Sequence, residues 1–96
     1  MKSAVEMREL TEKNIQECTE RAEHRIPQYR DKVMETIHYS AMQRQFCCVV
    51  KMTPEISEDE EIFPYIIFGL KKQLKDLGYR VTRGMYPEHL KIDWEV

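Results

Sequence analysis

Glycine, cysteine and charge of a single sign are all scarce in this chain of 96 residues, and each scarcity removes a class of function. With three glycines, the chain shows no phosphate-cradling loop and no calcium-loop spacing. The three cysteines, Cys18, Cys47 and Cys48, are an odd number without zinc-type spacing. Adjacent strand residues point to opposite faces, so Cys47 and Cys48 cannot easily bridge each other, and all three read as reduced cytosolic thiols. Fifteen basic and 17 acidic side chains leave a formal charge of −2. That balance argues against a phosphate-tracking nucleic-acid binder and equally against a DNA mimic. The longest nearly continuous apolar run, residues 62–70, is too short to cross a bilayer. The first fifteen residues are of mixed charge and lack the apolar core of a secretory signal. A cytoplasmic protein with no membrane association is expected.

What the chain does have is helix. From Ser3 to Gln43, apolar or small residues fall at Met7, Leu10, Ile15, Cys18, Ala22, Ile26, Tyr29, Val33, Ile37 and Ala41. They lie mostly three or four apart, as one helical face requires. Unbroken, such a helix would run roughly 60 Å, twice the ~30 Å width of a compact domain of this length. It must bend back on itself or offer its stripe to a second chain, so a homo-oligomer, preferably a dimer, is expected. Ser3 and Glu6 form a capping box at its start. Pro27 interrupts the middle, leaving a kinked helix or a pair of helices; with no Gly, Asn or Ser beside it to build a turn, the kink is favoured.

The remainder, residues 46–96, reads as a β-α-β-β unit. Residues 46–52 are rich in β-formers and apolar on both parities, so both faces of this strand are expected to be partly covered. Ser57 with Glu60 resembles a second cap, and Pro64 places the regular helix near residues 62–64. Phe63, Ile66, Ile67, Leu70, Leu74 and Leu77 supply a buried face, and Gly78 a left-handed stop. Residues 79–83 and 89–96 are strands around a Gly- and Pro-containing turn, the last pointing Leu90, Ile92, Trp94 and Val96 inward. A right-handed crossover would make the first two strands parallel. The expected fold is α+β, one domain: a long helix at 3–43, then a small three-stranded mixed sheet with a helix on one face. The expected core joins Val49, Phe63, Ile67, Leu70, Leu74, Leu77, Val81, Leu90, Ile92 and Trp94.

No nucleophile–base pair or metal-ligand cluster stands out, so no enzyme, cofactor or metal is expected. The acids Glu58, Asp59, Glu60 and Glu61 fit the start of a helix, where its dipole favours them. His24 and His38 share a helical face, but a zinc site would need further ligands. Lys71, Lys72, Lys75, Arg80, Arg83 and Lys91, with Tyr79 and Tyr86 nearby, could form one anion-binding patch. Partner contacts are expected at Arg25, Tyr29, Arg30 and Tyr39 on the first helix, or along Glu58, Asp59, Glu60 and Glu61.

The opening Ala4-Val5-Glu6-Met7-Arg8-Glu9-Leu10-Thr11-Glu12-Lys13-Asn14 begins a resemblance. With Leu74-Lys75-Asp76-Leu77-Gly78-Tyr79-Arg80-Val81 and Leu90-Lys91-Ile92-Asp93-Trp94, the layout resembles small uncharacterised accessory proteins of bacteriophages and prophages of Gram-positive bacteria. These have a similar long helix followed by a strand–helix–hairpin. Pro27 and residues 56–61 depart from that layout. The resemblance implies a bacterial cytoplasm and action by binding: a counter-defence inhibitor of a host protein, for example an anti-CRISPR protein. A virion or assembly component, or an oligomeric nucleotide- or nucleic-acid-binding protein, are its alternatives.

Overall fold

A computed structural model describes residues 1, 3–85 and 88–95. Helix α1 (Ala4–Met42) is followed by strand β1 (Cys47–Lys51), a single 3-10 turn (Ser57–Asp59), helix α2 (Phe63–Asp76), and strands β2 (Arg80–Arg83) and β3 (His89–Asp93). The fold is α+β, as the sequence implied. No helix is long and apolar enough to cross a membrane among the described residues.

Helix α1 is continuous through Pro27, so the alternative of two helices is excluded. Proline removes the N–H that would bond the carbonyl of Glu23. Both residues are exposed, and on that side water can take the place of the lost donor. Ser3 caps the helix, its Oγ accepting the Glu6 N–H at 3.2 Å. At the other end Arg44 occupies the left-handed region at φ 63°, with the Gln45 N–H bonded back to the Ser40 carbonyl at 3.0 Å. That closure normally uses glycine, and a side chain there costs ~1 kcal/mol. Arg44→Gly is therefore expected to raise unfolding free energy by up to ~1 kcal/mol in urea titrations.

The helix neither bends back nor fits within the head. Thirty-nine residues at ~1.5 Å each span roughly 58 Å, and the molecule measures 60 × 28 × 23 Å. Its radius of gyration, 16.2 Å, exceeds the ~12–13 Å of a compact chain this long. Ala22, Ile26, Tyr29, Val33 and Ile37 are buried in the head, whereas every helical residue before Cys18 is exposed. The first half of α1 is an arm.

In the head, α1 lies against β1 and α2 against β2, with the helices packed on each other. At Gly69 an added Cβ would meet Ile26 Cδ1 at 2.5 Å, so a larger residue there would have to displace the Ile26 side chain between α1 and α2. Gly78, at φ 98°, stops α2 as its sequence position suggested, and the Tyr79 N–H reaches back to the Leu74 carbonyl.

The sheet order is β1-β3-β2 and both pairings are antiparallel. The expected mixed sheet is thus corrected. The first two strands do share a direction, but β3 lies between them instead of at an edge. Folding back beside β2 leaves the other side of β3 open to β1, and both ladders gain antiparallel geometry. The strand with the clearest alternation is therefore central, with Leu90 and Ile92 buried.

Strand β1 buries Cys48 and Val50 and exposes Cys47, Val49 and Lys51. Its outer face is open, contrary to the expected cover on both faces, and Val49 lies outside the core at 54% exposure. Leu77, expected inside, is 63% exposed just beyond the end of α2. Leu70, Leu74, Val81, Leu90 and Ile92 form the core as expected, with Phe63, Ile67 and Trp94 partly buried against it. Val96 and Tyr86 lie outside the described residues.

Candidate functional site

The most organised polar cluster joins α1 to the turn before α2. Arg25 and Tyr29, one helical turn apart, approach Asp59, which is 1% exposed. Arg25 Nε donates to Asp59 Oδ1 and Oδ2 at 3.0 and 3.1 Å. Tyr29 donates its hydroxyl hydrogen to Oδ2 at 2.6 Å, and the same hydroxyl accepts the Glu55 N–H at 2.8 Å. The guanidinium also meets Glu55 at 3.6 Å and donates to Gln28 Oε1 at 2.7 Å.

Burial alone would raise the Asp59 pKa. The Tyr29 and Arg25 hydrogen bonds, with the charges of Arg25 and Arg21, outweigh it and hold the carboxyl below its usual range. Burial first, and then Asp59, push the Tyr29 phenol upward. The hydrogen bond from Asp59 raises Arg25 despite the opposing effect of burial. All three groups are held in their ordinary ionisation states. A neutral phenol and a fully paired carboxylate are suited to fixing a chain segment.

The turn so fixed carries the acidic run. Asp59 points inward, while Glu58, Glu60 and Glu61 remain exposed, Glu61 beside Arg21 at 3.5 Å. This corrects the expected partner surface at two points: Tyr29, also 1% exposed, and Asp59 are internal. Arg25 is committed to the same cluster, and Arg30 bonds Gln73 at 3.2 Å. Tyr39 stands free of the head at 67% exposure. The sequence held one signal for the cluster, a tyrosine in an otherwise aliphatic buried stripe with arginine a turn earlier. Nothing in it named an acid 30 residues away.

The six basic residues do not form one patch. Lys71 and Arg83 line a cleft with Phe63, Ile67 and Glu88. Lys75 and Arg80 line another with Tyr79, Trp94, Asp93 and Glu95. Lys72 faces the α1–α2 groove, and Lys91 is exposed on β3 between Val49 and Thr82. The two basic pairs each share their cleft with carboxylates, which weakens their attraction for phosphate.

Among the described residues, no group of three His, Cys, Asp or Glu side chains is placed to hold a metal ion. Burial, and then neighbouring Cys47, push the Cys48 thiol upward, the opposite of what a nucleophilic thiolate needs. Comparison with protein-family models, curated proteins and solved structures finds no match to this chain.

Proposed function

We propose that this protein acts without catalysis, by stoichiometric binding to a host protein, as a counter-defence inhibitor of the phage-accessory type. The observation that carries the reading is the fixing of the acidic turn by Asp59. A buried ion pair is a weak stabiliser beside an apolar pair of similar volume, so its use here supports positioning. It leaves Glu58 and Glu60 exposed on a rigid base, beside the exposed arm of α1. Such a surface suits a basic groove on the target, and association with it would weaken with salt. The resemblance to phage accessory proteins supplies the cellular setting, and anti-CRISPR activity is one instance of it. In this reading the protein works as a self-associated pair built on α1.

The test is capture from bacterial lysate followed by titration of the captured target's own activity. Inhibition should saturate at a fixed ratio near one chain per target and survive chelation of the protein. The Glu58→Lys/Glu60→Lys variant should fold normally and lose at least ~10-fold in affinity, about 1.4 kcal/mol. Inhibition at substoichiometric ratios, or its loss on chelation, would show an enzyme instead.

A further inference from the structure

One face of the arm has no charged residue. At 100° per residue, Ala4, Met7, Leu10, Thr11, Asn14, Ile15 and Cys18 fall within an arc of ~140° on α1. Glu6, Glu9, Lys13 and Glu17 lie outside that arc. The stripe continues directly into Ala22, Ile26 and Tyr29, which the head buries. Beyond the head it has no cover: Met7, Leu10 and Ile15 are 42–47% exposed. Where the arm leaves the head, Thr11, Asn14, Ile15 and Cys18 form a notch of ≈ 440 Å³ with Tyr65 and Glu61 of the α2 entrance. Because α1 is unbroken, the tip of the arm cannot fold back into its own notch. A second copy's tip can reach it.

We propose that two copies pair through this stripe, the arms antiparallel about a two-fold axis near Thr11, each N-terminus seated in the other's notch. This rests on the self-association reading above and assigns its interface. The register sets Met7 opposite the second copy's Ile15 and Ala4 opposite its Cys18, with Leu10 flanking the crossing of the two Thr11 residues. It also brings the positive end of each helix towards the exposed Glu61 carboxylate, a favourable charge arrangement. The stretch from Ala4 to Cys18 is ~21 Å long and ~10 Å across, giving ~660 Å² of lateral surface. Covering half of it, together with the small notch wall, buries on the order of 400 Å² per chain and ~800 Å² in all, the size of a weak and transient interface. A weak dimer, with a dissociation constant on the order of 10–100 µM, is expected.

Sedimentation equilibrium across 1–200 µM reads the first outcome, with circular dichroism as the control for helix content. The parent protein should dimerise. Met7→Glu and Leu10→Glu, both far from the core, should each weaken dimerisation at least 10-fold. Gln16→Glu, on the other side of the arm, should not. Orientation is read by mixing Met7→Cys and Ile15→Cys chains, each also carrying Cys18→Ser and Cys47→Ser, under mild oxidation. The mixed disulfide should form in preference to either self-linked product. A parent protein that stays monomeric overturns both this interface and the self-association reading. A dimer unaffected by Met7→Glu and Leu10→Glu leaves self-association standing and overturns the stripe as its interface. Preferential self-linking of Met7→Cys, or no cross-link at all, overturns the antiparallel register.

Discussion

Leu70→Ala and Ile92→Ala should each lower unfolding free energy by ~3–5 kcal/mol, the upper range for large-to-small changes in a close-packed core. Both side chains are completely buried. They sit on the two sides of the layer, Leu70 on α2 and Ile92 on the central strand, flanked by Cys48 and Val81 in the register. Neither side chain can relax towards solvent, so the cavity persists. A chain of this length has roughly 5–10 kcal/mol in total, and either variant should be near unfolding at 37 °C. Urea denaturation of these two beside Val49→Ala and Leu77→Ala gives the contrast, because the exposed positions should change by no more than ~0.5 kcal/mol. A large loss at Val49 would mean that β1 presents its other face to the helices.

Asp59→Asn should cost ~3 kcal/mol, since it breaks a pair whose carboxylate is almost wholly buried and leaves the partly exposed Arg25 with only Glu55 as an ionic partner. For a domain of this size that corresponds to a melting temperature lower by at least ~12 °C. The same residue sets a pH dependence. Its folded pKa is depressed below the ordinary aspartate value of 3.8, so its contribution is present in full above that unfolded value. It is lost as pH falls through the still lower folded value. Melting temperatures from pH 7 to pH 2 should therefore fall more steeply below pH 4 for the parent protein than for Asp59→Asn. Parallel profiles for the two proteins would show that Asp59 is not the group responsible.

Much of the architecture was legible because local chemistry and the global fold agree. Ser3 caps α1, Pro64 opens α2 and Gly78 ends it. Each is placed by the backbone groups that a helix end leaves unpaired, which adjacent residues settle among themselves. Strand β3 was equally clear, because Leu90 and Ile92 alternate with Lys91 and Asp93. Strand β1 was not. With Phe46, Cys47, Cys48, Val49, Val50 and Met52 almost all apolar, either parity could face inward, and only the pairing with β3 decides. Strand order escaped for a similar reason, since it depends on which free edge meets β1. The Arg25–Tyr29–Asp59 cluster was hidden because periodicity reports which residues are buried without reporting what they bond. The arm was legible as a helix too long for the head, but where it leaves the head was not: its stripe keeps the period of a packed face throughout, and nothing local says where the head ends.

The clasp around Asp59 also has a mechanical side. Pro27 is the softest point of α1, where one rung of the hydrogen-bond ladder is missing. Arg25 and Tyr29 stand two residues before and two residues after it, and both grip the same carboxylate. Asp59 thus acts as a splint laid across the joint. Bending there would have to stretch one of its grips, so the beam that runs out to Ala4 keeps the bearing set inside the head. A force applied at the tip of the arm acts through a lever of ~27 Å, counted from Ala22 at ~1.5 Å per residue. The two grips on Asp59 lie at the fixed end of that lever, one on each side of the proline.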